Sequence, residues 1–165
     1  MCDILNAPEN NPVTKAHEFL AELKNLQKEI QKVRHRELSD KVDSFVRGAQ
    51  EVSGVKIIAR KLEDATADDL RKVVDLLMKA AGEAAIILGT SQDGRVTIIT
   101  AISPTLVKRG LHAGNISKDV AKIVGGGGGG RPDMAQAGGQ YVAKLDEAIR
   151  FAAELLAKKL SHEGG

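Results

Sequence analysis

Six consecutive glycines, Gly125 to Gly130, constrain this chain more than any other feature of its sequence. Glycine loses more backbone freedom on ordering than any other residue, so a folded run of six is costly. Such a run is either a loose linker, as glycine-rich tracts usually are, or a bare backbone that approaches something closely. The surroundings favour close approach, because an amphipathic helix pattern from Ile116 to Val124 ends at the run and Arg131 follows it at once. Consecutive backbone N–H groups form concavities that bind anions, and an adjacent cation adds attraction for phosphate.

Known phosphate-binding motifs do not describe the run. The dinucleotide pattern G-x-G-x-x-G is met trivially by six glycines, and the P-loop pattern fails because Arg131 stands where Lys followed by Ser or Thr is required. Basic residues nevertheless gather nearby. Lys118 and Lys122 lie on one face of the helix leading into the run, and Asp119 is the one acidic residue between Pro104 and Arg131. A few lysines usually form only a solvated face, but these border a donor-rich backbone, so we expect phosphate contacts.

The composition allows one ordinary domain with an appendage. Of the 165 residues, 42% are hydrophobic and 2% aromatic, so the core must be aliphatic. A net charge of +2 does not by itself indicate a polyanionic partner. Cys2 is the single cysteine and cannot form an internal disulfide, which fits a cytoplasmic setting. Neither a membrane span nor a signal peptide is evident, and the opening residues are typical of the middle of a longer protein, so we expect a fragment.

A long helical pattern runs from Val13 to about Arg47. Its apolar residues recur at alternating steps of four and three, which is the seam of a coiled coil: Phe19, Leu23, Leu26, Ile30 and Val33. The register slips near His35 to Ser39, which argues against one long uninterrupted coiled coil. A single helix cannot bury such a seam, so it packs on the following domain, on another helix or on a second copy of itself. We predict self-association through those five residues.

The rest of the chain alternates between strand and helix patterns. Strands are expected at 55–60, 84–89 and 96–102, with a short possible strand at 134–137. Helices are expected at 66–81, with Asp64 or Thr66 as the cap, and at 116–124 and 141–160, with an irregular or helical segment from Pro104. The turn signal Ser91-Gln92-Asp93-Gly94 makes the second and third strands a hairpin.

These patterns predict the α/β class: a long, coiled-coil-like N-terminal helix, then a globular layered domain with a small mixed β-sheet flanked by helices. The expected organisation is a linker at 1–12, a helical oligomerisation segment at 13–50 and a globular domain at 51–165. We expect a break between Gly48 and Gly54, a loop at the glycine run, and disorder at Gly164 and Gly165.

Two stretches resemble a known family. Leu111-His112-Ala113-Gly114 and the string GGGGGGRPDMAQAGG, from Gly125 to Gly139, are similar to DHH-associated domains, in the branch that forms the C-terminal domain of bacterial-type alanyl-tRNA synthetases. Phosphoesterases and nucleases of short oligonucleotides also carry such domains, usually with a histidine after a shorter glycine run, where this chain has Arg131-Pro132. The resemblance extends from about Val13 to Leu160 and is sharp only from Leu111 to Gly139.

The resemblance implies a non-catalytic domain that binds tRNA at the outer corner of its L shape, helps to couple aminoacylation with editing, and dimerises through its helical segment. The implied partners are tRNA, alanine-specific in the full-length protein, and a second copy of the chain, in the cytoplasm and without a membrane. The predicted RNA-binding residues are Lys108, Arg109, His112, Lys118, Lys122, Gly127, Gly128, Gly129, Gly130 and Arg131.

Catalytic residues, metal ligands and cofactors are not expected. The sequence has no Asp-His-His motif, no paired carboxylate cluster and no Cys/His ligand spacing. His112 lacks a nucleophile or orienting acid beside it, so we expect it in a loop or core role. Tyr141 is the one aromatic residue near the glycines, which favours recognition by backbone and shape over base stacking. The substrate-binding half of a DHH-type phosphoesterase and a pure oligomerisation module remain as alternatives.

Overall fold

The structure, a computed structural model, describes residues 12–163. Cys2, most of the predicted linker and the disorder predicted at Gly164 and Gly165 lie outside the described residues. By their packing, the residues divide after Asp40 into two compact units. The division falls within the first helix, and the functional boundary that we place at residue 50 stays a prediction.

The described chain contains five α-helices and six β-strands. The helices are α1 (Pro12–Arg47), α2 (Ala67–Ala81), α3 (Pro104–Lys108), α4 (Ala113–Ile123) and α5 (Leu145–Glu163), and a 3₁₀ turn (Val142–Lys144) precedes α5. The strands are β1 (Gln50–Val52), β2 (Val55–Lys61), β3 (Ala84–Gln92), β4 (Arg95–Ile102), β5 (Gly127–Gly130) and β6 (Met134–Gly139). The predicted fold class is confirmed.

The six strands form one mixed sheet in the order β1-β2-β3-β4-β6-β5. β2 and β3 are parallel, joined by α2 as the crossover, and the other neighbouring strands are antiparallel. The predicted β3–β4 hairpin is confirmed. Its turn residues Asp93 and Gly94 have φ values of 51° and 73°, the left-handed conformation that a tight hairpin turn requires.

Helices cover the two faces of the sheet unequally. Helices α4 and α5 pack on one face, and α2 lies on β3 and β4 on the other. Strand residues alternate accordingly: Ile87 and Ile98 belong to the core shared with α4 and α5, whereas Ile86 faces the α2 side. The buried hydrophobic residues are Val, Ile, Leu and Ala, as the composition predicts. On the α2 side, β6 and β5 extend beyond the helix.

Thr66 fixes the start of α2 through a capping box. Its Oγ1 accepts a hydrogen bond from the Asp69 N–H at 3.2 Å, while the Thr66 N–H donates to Asp69 Oδ2 at 3.0 Å. Such a cap satisfies two backbone donors that a helix start leaves unpaired. Of the two predicted caps, Asp64 and Thr66, the structure selects Thr66.

Four local predictions were wrong. The segment between Gly48 and Gly54 contains β1, paired with β2, so the strand beginning at Val55 is the second strand and not the first. The glycine run, predicted as a loop, forms β5 over 127–130, and only Gly125 and Gly126 lie in the turn before that strand. The closing helix begins at Leu145, after the 3₁₀ turn, and not at Tyr141. Pro12, assigned to the linker, begins α1, in keeping with the fixed φ of proline at a helix start.

Candidate nucleic-acid interface

The glycine strand β5 is the edge of the sheet. It pairs with β6 alone, from Gly127 opposite Gly138 to Gly130 opposite Ala135. An edge strand presents alternate N–H and C=O groups that its partner does not use. Gly127 and Gly130 are exposed, and the two residues between them are half-buried. The bare backbone is therefore open to solvent and not sealed inside the body.

Packing explains why several residues of the run must be glycine. A Cβ on Gly128 would lie 2.5 Å from the backbone oxygen of Ser117 in α4, and one on Gly126 would lie 1.8 Å from that of Gly138. Gly130, with φ of +153°, would place a Cβ 2.7 Å from the Cα of Ala135. Helix α4 thus lies directly against β5, at a distance that no side chain on that face of the strand would permit.

Gly127 and Gly129 have no comparable packing reason. A Cβ on Gly127 would meet nothing within 4 Å, and one on Gly129 would meet only Lys118 Cε at 4.0 Å. Neither residue has a positive φ. Their register places both on the α2 side of the sheet, where no helix covers β5. The open face of the strand is therefore free of side chains without any steric need.

Cations follow the strand from end to end. Lys118 and Lys122 line a concavity between α4 and β5, together with Asn115, Asp119, Ala121, Gly126 and Gly128. Lys122 Nζ pairs with Asp119 Oδ1 at 3.1 Å, and Lys118 has no ion-pair partner in the described part of the chain. Arg131 follows the strand, and its Nη2 lies 3.3 Å from Asp133 Oδ2. Exposed ion pairs contribute at most about 1 kcal/mol. Lys122 and Arg131 can therefore leave their aspartate partners and pair with phosphate at low cost.

Arg71 borders the other side of the strand and was missed by sequence reasoning. Its Nη2 donates to Oε1 of Gln136 at 3.2 Å, and its guanidinium also lies near Asp68. It lines a second concavity, on the α2 side, together with Ile99, Gly129, Gly130, Arg131, Met134, Ala135 and Gln136. Arg71 belongs to a helix far away in sequence, and no local pattern distinguishes it from the other charged residues of α2.

His112 has a structural role beside the strand. It is the N-cap of α4, where its Nδ1 accepts a hydrogen bond from the Asn115 N–H at 3.3 Å. A Cβ on Gly114 would lie 2.8 Å from both His112 Cε1 and the Gly130 oxygen, so the ring and the strand end pack on the same glycine. The other two predicted residues, Lys108 and Arg109, are exposed at the end of α3 and line neither concavity.

Tyr141 lies at the opposite end of the glycine run. Its ring covers Gly125, where a Cβ would come within 2.3 Å of Cε2, and Gly125 has a positive φ of 69°. The side chain is 59% exposed. One aromatic ring is thus available for stacking beside the strand. The other contacts to a nucleic acid would have to come from backbone groups and cations.

The predicted oligomerisation residues all lie on α1, in the unit that ends at Asp40. Each is more than half exposed: Phe19 62%, Leu23 53%, Leu26 54%, Ile30 51% and Val33 55%. A contiguous exposed apolar stripe on one helix marks an interaction surface.

Within residues 12–163 no group of His, Cys, Asp or Glu side chains is arranged to hold a metal ion. None of the described helices has the length and apolar character needed to cross a membrane.

This fold, with its glycine edge strand, defines the class of domain. The chain belongs to the DHHA1 domain family, whose model matches residues 54–158. At the level of single proteins, it is 40% identical over 162 residues to an alanine–tRNA ligase of Natranaerobius thermophilus, a match that covers 98% of this chain and 18% of the ligase. The resemblance drawn from the sequence is confirmed. The chain spans about a fifth of the curated relatives it matches.

Two solved structures share the fold. The C-Ala domain of Aquifex aeolicus alanyl-tRNA synthetase is 25% identical, with a TM-score of 0.59 over 68% of this chain and 97% of that domain. RecJ of Thermus thermophilus, in complex with Mn²⁺, is 16% identical, with a TM-score of 0.50 over 91% of this chain and 20% of RecJ. The second likeness shows the fold alone.

Proposed function

We propose that this chain is a non-catalytic tRNA-binding domain of an alanine–tRNA ligase, in which the phosphate backbone of the RNA lies along β5. One observation carries the proposal: an exposed, side-chain-free edge strand has Lys118, Lys122 and Arg131 distributed along its length. Gly127 and Gly129 keep its open face bare where packing does not require glycine. Backbone N–H groups and flexible cations are donors that suit phosphate.

The contacts fit RNA recognised by its shape. The surface offers main-chain donors and point charges, which position a polyanion without reading its bases. We therefore expect modest selectivity among tRNAs, with the alanine identity read elsewhere in the full-length enzyme. We also propose contact at the outer corner of tRNA and a part in coupling aminoacylation with editing, in the cytoplasm, as the resemblance of the sequence to alanyl-tRNA synthetases implies.

The exposed stripe on α1 supports a second part of the proposal, self-association into a homodimer. Five side chains that are each more than half exposed, at coiled-coil spacing, form a surface that a second copy can cover. For the phosphoesterase alternative, the relevant finding is that this chain shares the fold of a part of RecJ. No observation among the described residues favours it.

Titration of unmodified tRNA against the chain at several salt concentrations tests the binding. We expect binding at low salt, and expect the double substitution Lys118→Ala/Arg131→Ala to lower the slope of log Kobs against log salt by about 2, one for each phosphate contact. Gly127→Val should weaken binding about tenfold, because its side chain would stand between the strand and the RNA, while the unfolding temperature is unchanged.

The matched control is Lys79→Ala/Lys158→Ala, which removes the same charge from exposed positions away from the strand and should leave the salt slope unchanged. If the chain fails to bind tRNA at low salt, the proposal is wrong. If binding persists unchanged in both site variants, the RNA lies elsewhere on the domain.

A further inference from the structure

The face of α1 opposite its apolar stripe is basic. An α-helix advances about 100° per residue, which places Lys24, Lys28 and Lys32 on the side away from Leu26 and Ile30. His17 and His35 project on the same side. We call these five residues, Lys24, Lys28, Lys32, His17 and His35, the basic face. All of them are exposed.

Carboxylates are absent from this face. At the same helical spacing, Glu18, Glu22 and Glu29 lie together along one flank, and no Asp or Glu between residues 14 and 39 falls on the basic face. None of the three lysines forms an ion pair in the part of the chain that the structure describes. The charge of the face is therefore not neutralised within the chain.

Helix stability does not account for this arrangement. Lysines four residues apart on a helix repel one another and weaken it. Lys24 and Lys28 have no acidic residue three or four positions away in either direction, so neither can form the stabilising pair that a solvated helix face commonly uses. Repulsion among the three lysines therefore destabilises an isolated helix, and an anion bound to the face would reduce it.

The spacing of the lysines suits a polyanion. Successive members of the row are about 6 Å apart along the axis, at 1.5 Å per residue. Lys28, Gln31, Lys32, His35 and Arg36 line a shallow concavity at the end of this row. Flexible ammonium groups in a regular line can each approach one phosphate of a strand.

We propose that the basic face of α1 is a second RNA-binding surface, which contacts the phosphate backbone of the same tRNA or of one held by a second copy. The inference rests on the proposed tRNA-binding function and adds to the glycine strand a site on the other compact unit. Self-association through the apolar stripe covers the opposite side of the helix and leaves the basic face outward.

The test compares two triple variants of the full chain in tRNA titrations across salt. Lys24→Ala/Lys28→Ala/Lys32→Ala removes the row, and alanine preserves the helix. We expect its affinity at low salt to fall at least tenfold, and its salt slope to fall by about 2 to 3, at roughly 0.7 to 0.9 per lost contact. The control Lys61→Ala/Lys79→Ala/Lys158→Ala, with the same charge change at exposed positions, should bind within about twofold of the unmodified chain.

Restoring the charge with Lys24→Arg/Lys28→Arg/Lys32→Arg should restore the slope, and all variants should sediment as the unmodified chain does. The inference fails if the alanine row variant binds normally while Lys118→Ala/Arg131→Ala binds weakly, a result that leaves the proposed function standing. It fails also if the control loses as much affinity, or if the loss coincides with dissociation into monomers. Absence of all tRNA binding would remove both proposals together.

Discussion

Adjacent glycines in β5 are glycine for different reasons. Gly128 faces α4, where a Cβ would lie 2.5 Å from the Ser117 oxygen and 2.9 Å from its carbonyl carbon. Both are backbone atoms that cannot turn aside, so the helix itself would have to move. Gly127 faces the open side, where a Cβ meets nothing within 4 Å. Packing therefore requires glycine at position 128 but not at position 127.

The pair gives a stability prediction. Gly128→Ala should destabilise the fold by about 1 to 3 kcal/mol, as overpacking of a close contact does. Gly127→Ala, at an ordinary φ, should be neutral or stabilise by up to about 1 kcal/mol, because alanine restricts the unfolded chain. Urea unfolding of both variants measures the difference. Equal effects would mean that α4 does not lie against β5 as described.

At this scale the sequence predicts some residues and misses others, for physical reasons. Thr66 as a helix cap, with Asp69 three residues on, follows from local chemistry and is readable from the sequence. His112 as a cap of α4 is not, because histidine rarely has this role. The approach of Arg71 to Gln136 depends on the crossover that brings α2 over the sheet, and no short pattern encodes it.

At the scale of elements, the glycine run is the instructive case. Glycine is depleted in strands, so propensity predicts a loop at residues 127–130. The sheet overrides this propensity, because β6 provides the backbone hydrogen-bond partners of β5. Helix α4 also packs so closely on β5 that a side chain at Gly128 would clash with it. β3, β4, α2 and α4 follow from hydrophobic periodicity, whereas β1 is too short to leave a pattern.

Helix α1 allows a matched test of self-association. Leu26 and Leu20 are each 54% exposed, but helical geometry places Leu26 on the seam and Leu20 away from it. Leu26→Glu should shift the chain to monomer in sedimentation velocity, since a charge would be buried at the interface, while Leu20→Glu should remain a dimer. A chain that is monomeric at all concentrations contradicts the homodimer, and equal dissociation in the two variants contradicts the seam as its interface.

At the scale of the whole molecule, the described residues form two units of different character. Side chains from residue 12 to 37 are all exposed, and the aliphatic core lies in the unit that follows Asp40. Most of the stability therefore belongs to the second unit.

Deletion of residues 1–40 should accordingly leave a cooperative thermal transition, with an unfolding temperature within about 4 °C of the full chain, a shift that corresponds to roughly 1 kcal/mol or less for a domain of this size. Circular dichroism melting measures it. A broad, non-cooperative transition would show that the helix is needed for the globular unit to fold.

A ligand-binding surface made of peptide groups has an unusual relation to mutation. Every amino acid except proline provides the same N–H and C=O, so a substitution that preserves β5 leaves these groups unchanged and acts only through the side chain it adds. Any change of partner in the history of such a domain would have to arise in side chains, among the cations beside the strand or on its open face, while the peptide groups stayed chemically constant.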